Sequence, residues 1–233
     1  MGPTERRQRE RQEIRGKILD AARDLFVAEG YEAVTMRRIA DKIEYSPTAI
    51  YFHFRDKEAL LKELCEHDFL SLAQQFTPME EIADPIEKLR ATGKAYLQFG
   101  VDYPNHYRLM FMTPHPPIAE HELEKNNPEE DAYAFLKNIV AQGIAAKRFK
   151  PEYKDVDLVA QTVWSGVHGV VSLHIAKCND DWVDWRSLED RATTMLDVLV
   201  DGLSNQPSGP GPRASDRRPK LHPTEDRGPR TED

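Results

Sequence analysis

Apolar residues recur at helical spacing from residue 8 to residue 203, without a strand-like alternation of useful length. Ile14, Ile18, Ala22 and Leu25 form one stripe and predict a first helix over 8–29, with Gly30 where a left-handed cap is expected. Thr35 is a good N-cap for a second helix that buries Ile39, Ala40 and Ile43. Ser46-Pro47 starts a third, because proline at the first helical position lacks only a donor that would be unsatisfied there anyway. Asp56 caps a fourth, which carries Leu60, Leu61, Leu64 and Phe69.

Prolines punctuate the rest. Pro78 and Pro85 bracket the link to a fifth helix, where Leu89, Thr92, Tyr96, Phe99 and Tyr103 share a face and Pro104 ends the run. A short helix holds Tyr107, Met110 and Phe111, and the proline-rich stretch 113–117 must be a loop. Further helices are expected over 129–146, 155–177 and 185–203. The tail, 204–233, holds six of the sixteen prolines and Leu221 as its only large aliphatic residue, so it is expected to be disordered. The fold class is therefore all-α: an N-terminal three-helix unit (13–60) with the layout of a homeodomain-like helix-turn-helix domain after a flexible basic arm (1–12), then a helical body (61–203).

Composition changes this picture little, and charge changes it more. The formal charge of −8 taken as a sum argues against DNA, but its distribution matters more. Residues 1–55 hold eleven Lys/Arg against nine Asp/Glu, with Arg6, Arg7, Arg9, Arg11 and Arg15 crowded into the arm. A mildly basic head on an acidic body fits a modest DNA footprint, as does solvated charge alone. No apolar run reaches the ~18 residues that span a bilayer, and the charged start does not resemble a secretory signal. No membrane association and a cytoplasmic location are expected. Cys65 and Cys178 form neither a CxxC nor a metal spacing, so both are expected as reduced thiols, with no metal and no cofactor. HExxH, P-loop, GxGxxG and GxSxG patterns are missing from the sequence, which argues against an enzyme.

Residues 35–54 have the length and punctuation of a helix-turn-helix, whose second helix lies in the major groove. Ile50 and Phe54, four apart, would anchor that helix, leaving Thr48 and Phe52 on the opposite side and Pro47, Ala49, Tyr51 and His53 on the flanks. Periodicity alone leaves the aromatic pair Tyr51-Phe52 open between a core role and a DNA-facing one.

The run 18–61 resembles the DNA-binding domain of the TetR/AcrR family. The match is carried by ILDAARDLF (18–26), Gly30-Tyr31, TMRRIA (35–40), SPTAIYFHF (46–54) and KEALL (57–61). The resemblance implies that Thr35 and Arg37 meet the operator, and that Pro47, Thr48, Ala49, Phe52 and His53 face bases or sugars. It also implies that Tyr51 and Lys57 bind phosphates. One departure is Glu44, which stands in the turn where the family usually has glycine. A rival reading is a related protein that no longer binds DNA and acts only through a protein partner.

The resemblance further implies a homodimer built on the last two helices, and a small apolar effector that releases a repressor from double-stranded operator DNA. Ser165, Gly169 and Ser172 form a small-residue strip for close helix approach, and Leu188, Met195 and Leu199 belong to an apolar stripe on the last helix. Tyr96, Phe99, Tyr103, Tyr107, Met110, Phe111, Trp164 and His168 are the candidates to line an effector pocket. Aromatic stripes at this spacing serve equally as plain core.

Overall fold

The computed structural model describes residues 3–118 and 124–205. The expected disorder of 206–233 lies outside the described residues.

Helices follow the capping signals closely. Helix α1 runs Pro3–Glu29, α2 Met36–Lys42, α3 Pro47–His53 and α4 Lys57–Gln74. The Thr35 hydroxyl accepts from Arg38 N, Ser46 from Ala49 N and the Asp56 carboxylate from Ala59 N, each satisfying an orphan donor of the first turn. Gly30 closes α1 with φ +83° and its N–H on Phe26 O. Glu44, in the turn between α2 and α3, sits at φ +60°, a left-handed conformation that a side chain makes costly. The start of α1 differs from expectation: it begins at Pro3 rather than near residue 8, so the arm is helical. Arg6–Glu10 and Arg9–Glu13 ion pairs at i,i+4 support the extra turns.

The body comprises α5 Pro85–Asp102, α6 Pro104–Phe111, α7 Ala132–Ala145, α8 Val156–Lys177 and α9 Leu188–Leu203, with a 3-10 turn, Thr77–Glu81, before α5. Asp84, Asp131, Asp155 and Ser187 cap α5, α7, α8 and α9. The end of α9 is pinned by backbone bonds from Lys150 N to Leu203 O and from Asn205 N to Arg148 O, so Ser204 and Asn205 are ordered.

Two cores result. The head core joins Ile18, Phe26, Ile39 and Ile50 to Leu60, Leu61, Leu64 and Cys65 of α4, and it also takes Leu109 of α6. The body core gathers Leu72, Leu89, Phe99, Tyr107, Ile139, Val163 and Leu196. A boundary at residue 60 therefore falls inside α4, whose first half belongs to the head and whose second half belongs to the body. Between the cores lies Asp68, with no solvent exposure. Arg23 of α1 donates to both of its oxygens, at 3.0 and 2.8 Å. His106 Nδ1 of α6 approaches at 2.9 Å, off the line of a good hydrogen bond. Burial alone would raise the Asp68 pKa, but His106, His67 and Arg23 outweigh it and hold the carboxyl far below the usual range.

Candidate nucleic-acid interface and interior cavity

Helix α3 is held by one buried side chain of its own, Ile50, and by Phe54 just after it. These two fix the helix against α1, α2 and α4, and the opposite side is left to solvent. Phe52 is 70% exposed and Tyr51 55%, large values for aromatic rings. Thr48 is exposed beside them, and Pro47, Ala49 and His53 are half-buried on the flanks. Thr35 and Arg37, at the start of α2, are exposed as well.

Two arginines of α1 brace this face, and sequence reasoning missed both contacts. The Arg11 guanidinium lies 5.2 Å from the centre of the Phe52 ring. Arg15 stacks over Phe54 at 4.3 Å, donates to His53 O at 2.8 Å and forms an ion pair with Glu63. The i,i+4 spacing of Arg11 and Arg15 was the available signal, but only the three-dimensional packing of α1 along α3 shows what they meet. Burial, then the positive charges of Arg11 and Arg15, lower the His53 pKa. The shift favours the neutral imidazole at pH 7.

Lys57 is placed differently from the other expected contacts. Its ammonium donates to Tyr31 O at 2.8 Å and Val34 O at 3.0 Å and sits 4.1 Å from the Tyr31 ring. It ties the loop before α2 to the start of α4, and this leaves one of its three N–H donors for a phosphate.

In the body, α4, α5, α7 and α8 enclose a cavity of about 550 Å³. Of the eight expected lining residues, Tyr96, Phe111 and Trp164 reach it. Tyr107 and His168 stand behind Tyr96: Trp164 Nε1 donates to Tyr96 Oη at 3.0 Å, the Tyr96 and Tyr107 hydroxyls are 3.0 Å apart, and Tyr107 Oη is 2.6 Å from His168 Nδ1. Burial raises the Tyr96 phenol to about 12 and pushes the His168 imidazole below its usual value. Phe99 and Met110 are buried in the body core, and Tyr103 is exposed at the end of α5; none of the three lines the cavity. The walls that sequence reasoning missed come from Phe69, Phe76, Tyr133 and Leu136. The apolar stripe of α7 contained the signal for the last two.

The six residues expected at a dimer face lie on α8 and α9. Gly166 lets these helices close on each other, since a Cβ there would come within 2.5 Å of Leu199 Cδ1 and 3.1 Å of Met195 Sδ. Met195, Leu199 and Leu188 are half-buried by this packing. Ser165 is exposed, Ser172 is half-buried, and a Cβ on Gly169 would meet nothing within 4 Å. Val198, 67% exposed, and Leu158, 62% exposed, add apolar surface on these two helices.

Burial pushes the Cys65 thiol up to about 12, with the Asp68 and Glu66 charges adding to it, so it is a packing residue. Among the described residues no helix is long and apolar enough to cross a membrane, and no His/Cys/Asp/Glu group could hold a metal.

Comparison with known proteins agrees with this geometry. A family model described as bacterial regulatory proteins, tetR family, matches residues 18–64, and one described as tetracyclin repressor-like, C-terminal domain, matches 89–199. The chain is 46% identical over 54 residues to the HTH-type transcriptional repressor Rv1474c of Mycobacterium tuberculosis, covering 23% of this chain and 29% of that protein. It is 34% identical over 102 residues to the HTH-type transcriptional activator FasR of Mycolicibacterium smegmatis, covering 43% and 47%. The chain thus spans less than half the length of these curated relatives. The crystal structure of the transcriptional regulator FadR from Bacillus subtilis in complex with stearoyl-CoA superposes with a TM-score of 0.63 at 21% identity, covering 80% of this chain and 97% of that one. With both of its domains matched in order, the chain belongs to the TetR family of DNA-binding transcriptional regulators.

Proposed function

We propose that this regulator is a repressor that binds its operator as a homodimer and is released when a small, largely apolar molecule occupies the body cavity. The observation that carries the DNA part is the outward aromatic face of α3, with Phe52 70% exposed under an arginine of α1. Thr48, Phe52 and the half-buried Pro47, Ala49 and His53 read bases and sugars. Thr35, Arg37 and Tyr51 hold phosphates, and Lys57 adds one bond while fixing the loop. Phosphate contacts position the head and base contacts specify the site. The protein works where the chromosome is, in the cytoplasm.

One α3 reads one half-site. Two half-sites roughly 34–36 Å apart need a two-fold symmetric pair of heads. The exposed faces of α8 and α9, with Gly169 open and Val198 bare, support pairing there. Release then needs a ligand that binds more tightly to a dimer whose heads are wrongly spaced than to the DNA-binding one.

Selection of bound fragments from random double-stranded oligonucleotides tests this reading. Two inverted half-sites, lost in Phe52→Ala and weakened by salt, are the expected result. Enrichment of a single unpaired motif, or of no motif, would refute it.

A further inference from the structure

The cavity restricts the chemistry of its ligand more closely than an apolar lining alone would. Among the described residues, the Thr92, Trp164 and Tyr133 donors on its walls are already engaged. The Thr92 hydroxyl donates to Lys88 O at 2.9 Å, and the Trp164 indole to Tyr96 Oη at 3.0 Å. The Tyr96 and Tyr107 hydroxyls lie 3.0 Å apart, and the Tyr133 hydroxyl donates to Asp157 at 3.0 Å. Oxygens on these groups can still accept, but the Thr92, Trp164 and Tyr133 protons are engaged. The start of α7, which would otherwise attract an anion, carries its own: Asp131 Oδ1 takes Tyr133 N and Ala134 N at 2.9 and 3.0 Å.

Charge points the same way. Among the described residues, three carboxylates (Glu124, Glu130 and Asp131) stand at the cavity edge against one ammonium, Lys125. Lys137, over the outer side of Tyr133, is paired with Asp157 at 3.0 Å and adds no net charge. The walls themselves carry the aromatic rings of Phe69, Phe76, Tyr96, Phe111, Tyr133 and Trp164. The π faces of such rings attract a positive centre, most strongly when water is excluded. An anion would meet engaged donors, aromatic walls and an acidic edge, leaving its charge poorly compensated.

We propose that this cavity takes a lipophilic organic cation, a bulky apolar molecule bearing an ammonium-like centre, and discriminates against carboxylates and acyl-CoA thioesters. The inference rests on the cavity being the effector site, and it specifies the ligand class for that site.

Tetraphenylphosphonium and tetraphenylborate are nearly the same size and shape with opposite charge, so they isolate its sign. Calorimetric titration of the full chain with each, and with stearoyl-CoA, should show the phosphonium binding at least roughly tenfold more tightly than either anion. The gap should narrow in Glu124→Gln/Glu130→Gln, and the binding should disappear in Leu136→Trp, which fills the cavity. No phosphonium binding, equal or tighter binding of either anion, or a preference unchanged in the glutamine variant would overturn the proposal, and the wild-type comparison alone suffices if a variant fails to fold. Operator release, read in parallel by fluorescence anisotropy, separates the two readings. Phosphonium binding without release keeps the ligand class and removes the release mechanism, whereas an anion that binds and releases DNA does the reverse.

Discussion

Head and body solve opposite packing problems with the same helices. The head is closed: Ile18, Phe26, Ile39, Ile50 and Leu64 have no exposed surface, and even its charged side chains are used as ties, as in Arg15 on His53 O and Lys57 on Tyr31 O. The body leaves a cavity of about 550 Å³ inside and bare Val198 and Leu158 outside. A reading head must hold its side chains in one geometry, which close packing provides. A ligand-responsive body must keep some cohesion unspent, because an equilibrium can be shifted only where two arrangements differ by a few kcal/mol.

The joint between them is the place to break this comparison. Asp68→Ala leaves buried Arg23 with Asp20 as its remaining ion partner and should cost about 3 kcal/mol in urea denaturation, with head and body losing cooperativity together. Because the folded pKa of Asp68 is depressed, its stabilisation is complete above the unfolded value near ~4 and fades as pH falls through that value toward the folded one. The wild type should therefore lose urea midpoint below about pH 4 more steeply than Asp68→Asn.

Paired truncations sharpen the contrast. Leu61→Ala in the closed head should cost about 3 kcal/mol, whereas Leu136→Ala beside the existing void should cost about 1 kcal/mol, since fewer contacts are lost. Similar losses at both sites would mean that the body is packed as tightly as the head. At the low end, Glu44→Gly relieves the left-handed turn residue before α3 and should raise thermal stability by about 0.5–1 kcal/mol. DNA affinity should rise with it if turn strain opposes the reading geometry.

The head was more legible in the sequence than the body. Thr35, Ser46-Pro47 and Asp56 are local signals, because a cap bonds residues two or three positions away, and each caps its helix as read. The helical arm was not legible, since Arg6–Glu10 and Arg9–Glu13 pairing is a small effect that composition does not rank above fraying. Nor was the Arg23–Asp68 pair, which joins residues 45 apart. For the cavity, a one-dimensional stripe shows that Tyr96, Phe99 and Tyr103 share a helix face. It cannot show which of them a neighbouring helix covers. Phe99 is sealed and Tyr103 is turned out, while the missing walls came from Tyr133 and Leu136 of α7. Periodicity identifies a buried face, but not whether a neighbouring helix or a void lies against it.

Helix α6 carries a final consequence. In eight residues it places Leu109 in the head core, His106 on the buried carboxylate of Asp68 and Phe111 against the cavity. Eight residues make about two turns, so one short rod seats in the head core through Leu109 and lines the cavity through Phe111. A side-chain change at either position is therefore felt at the seam where the two cores meet.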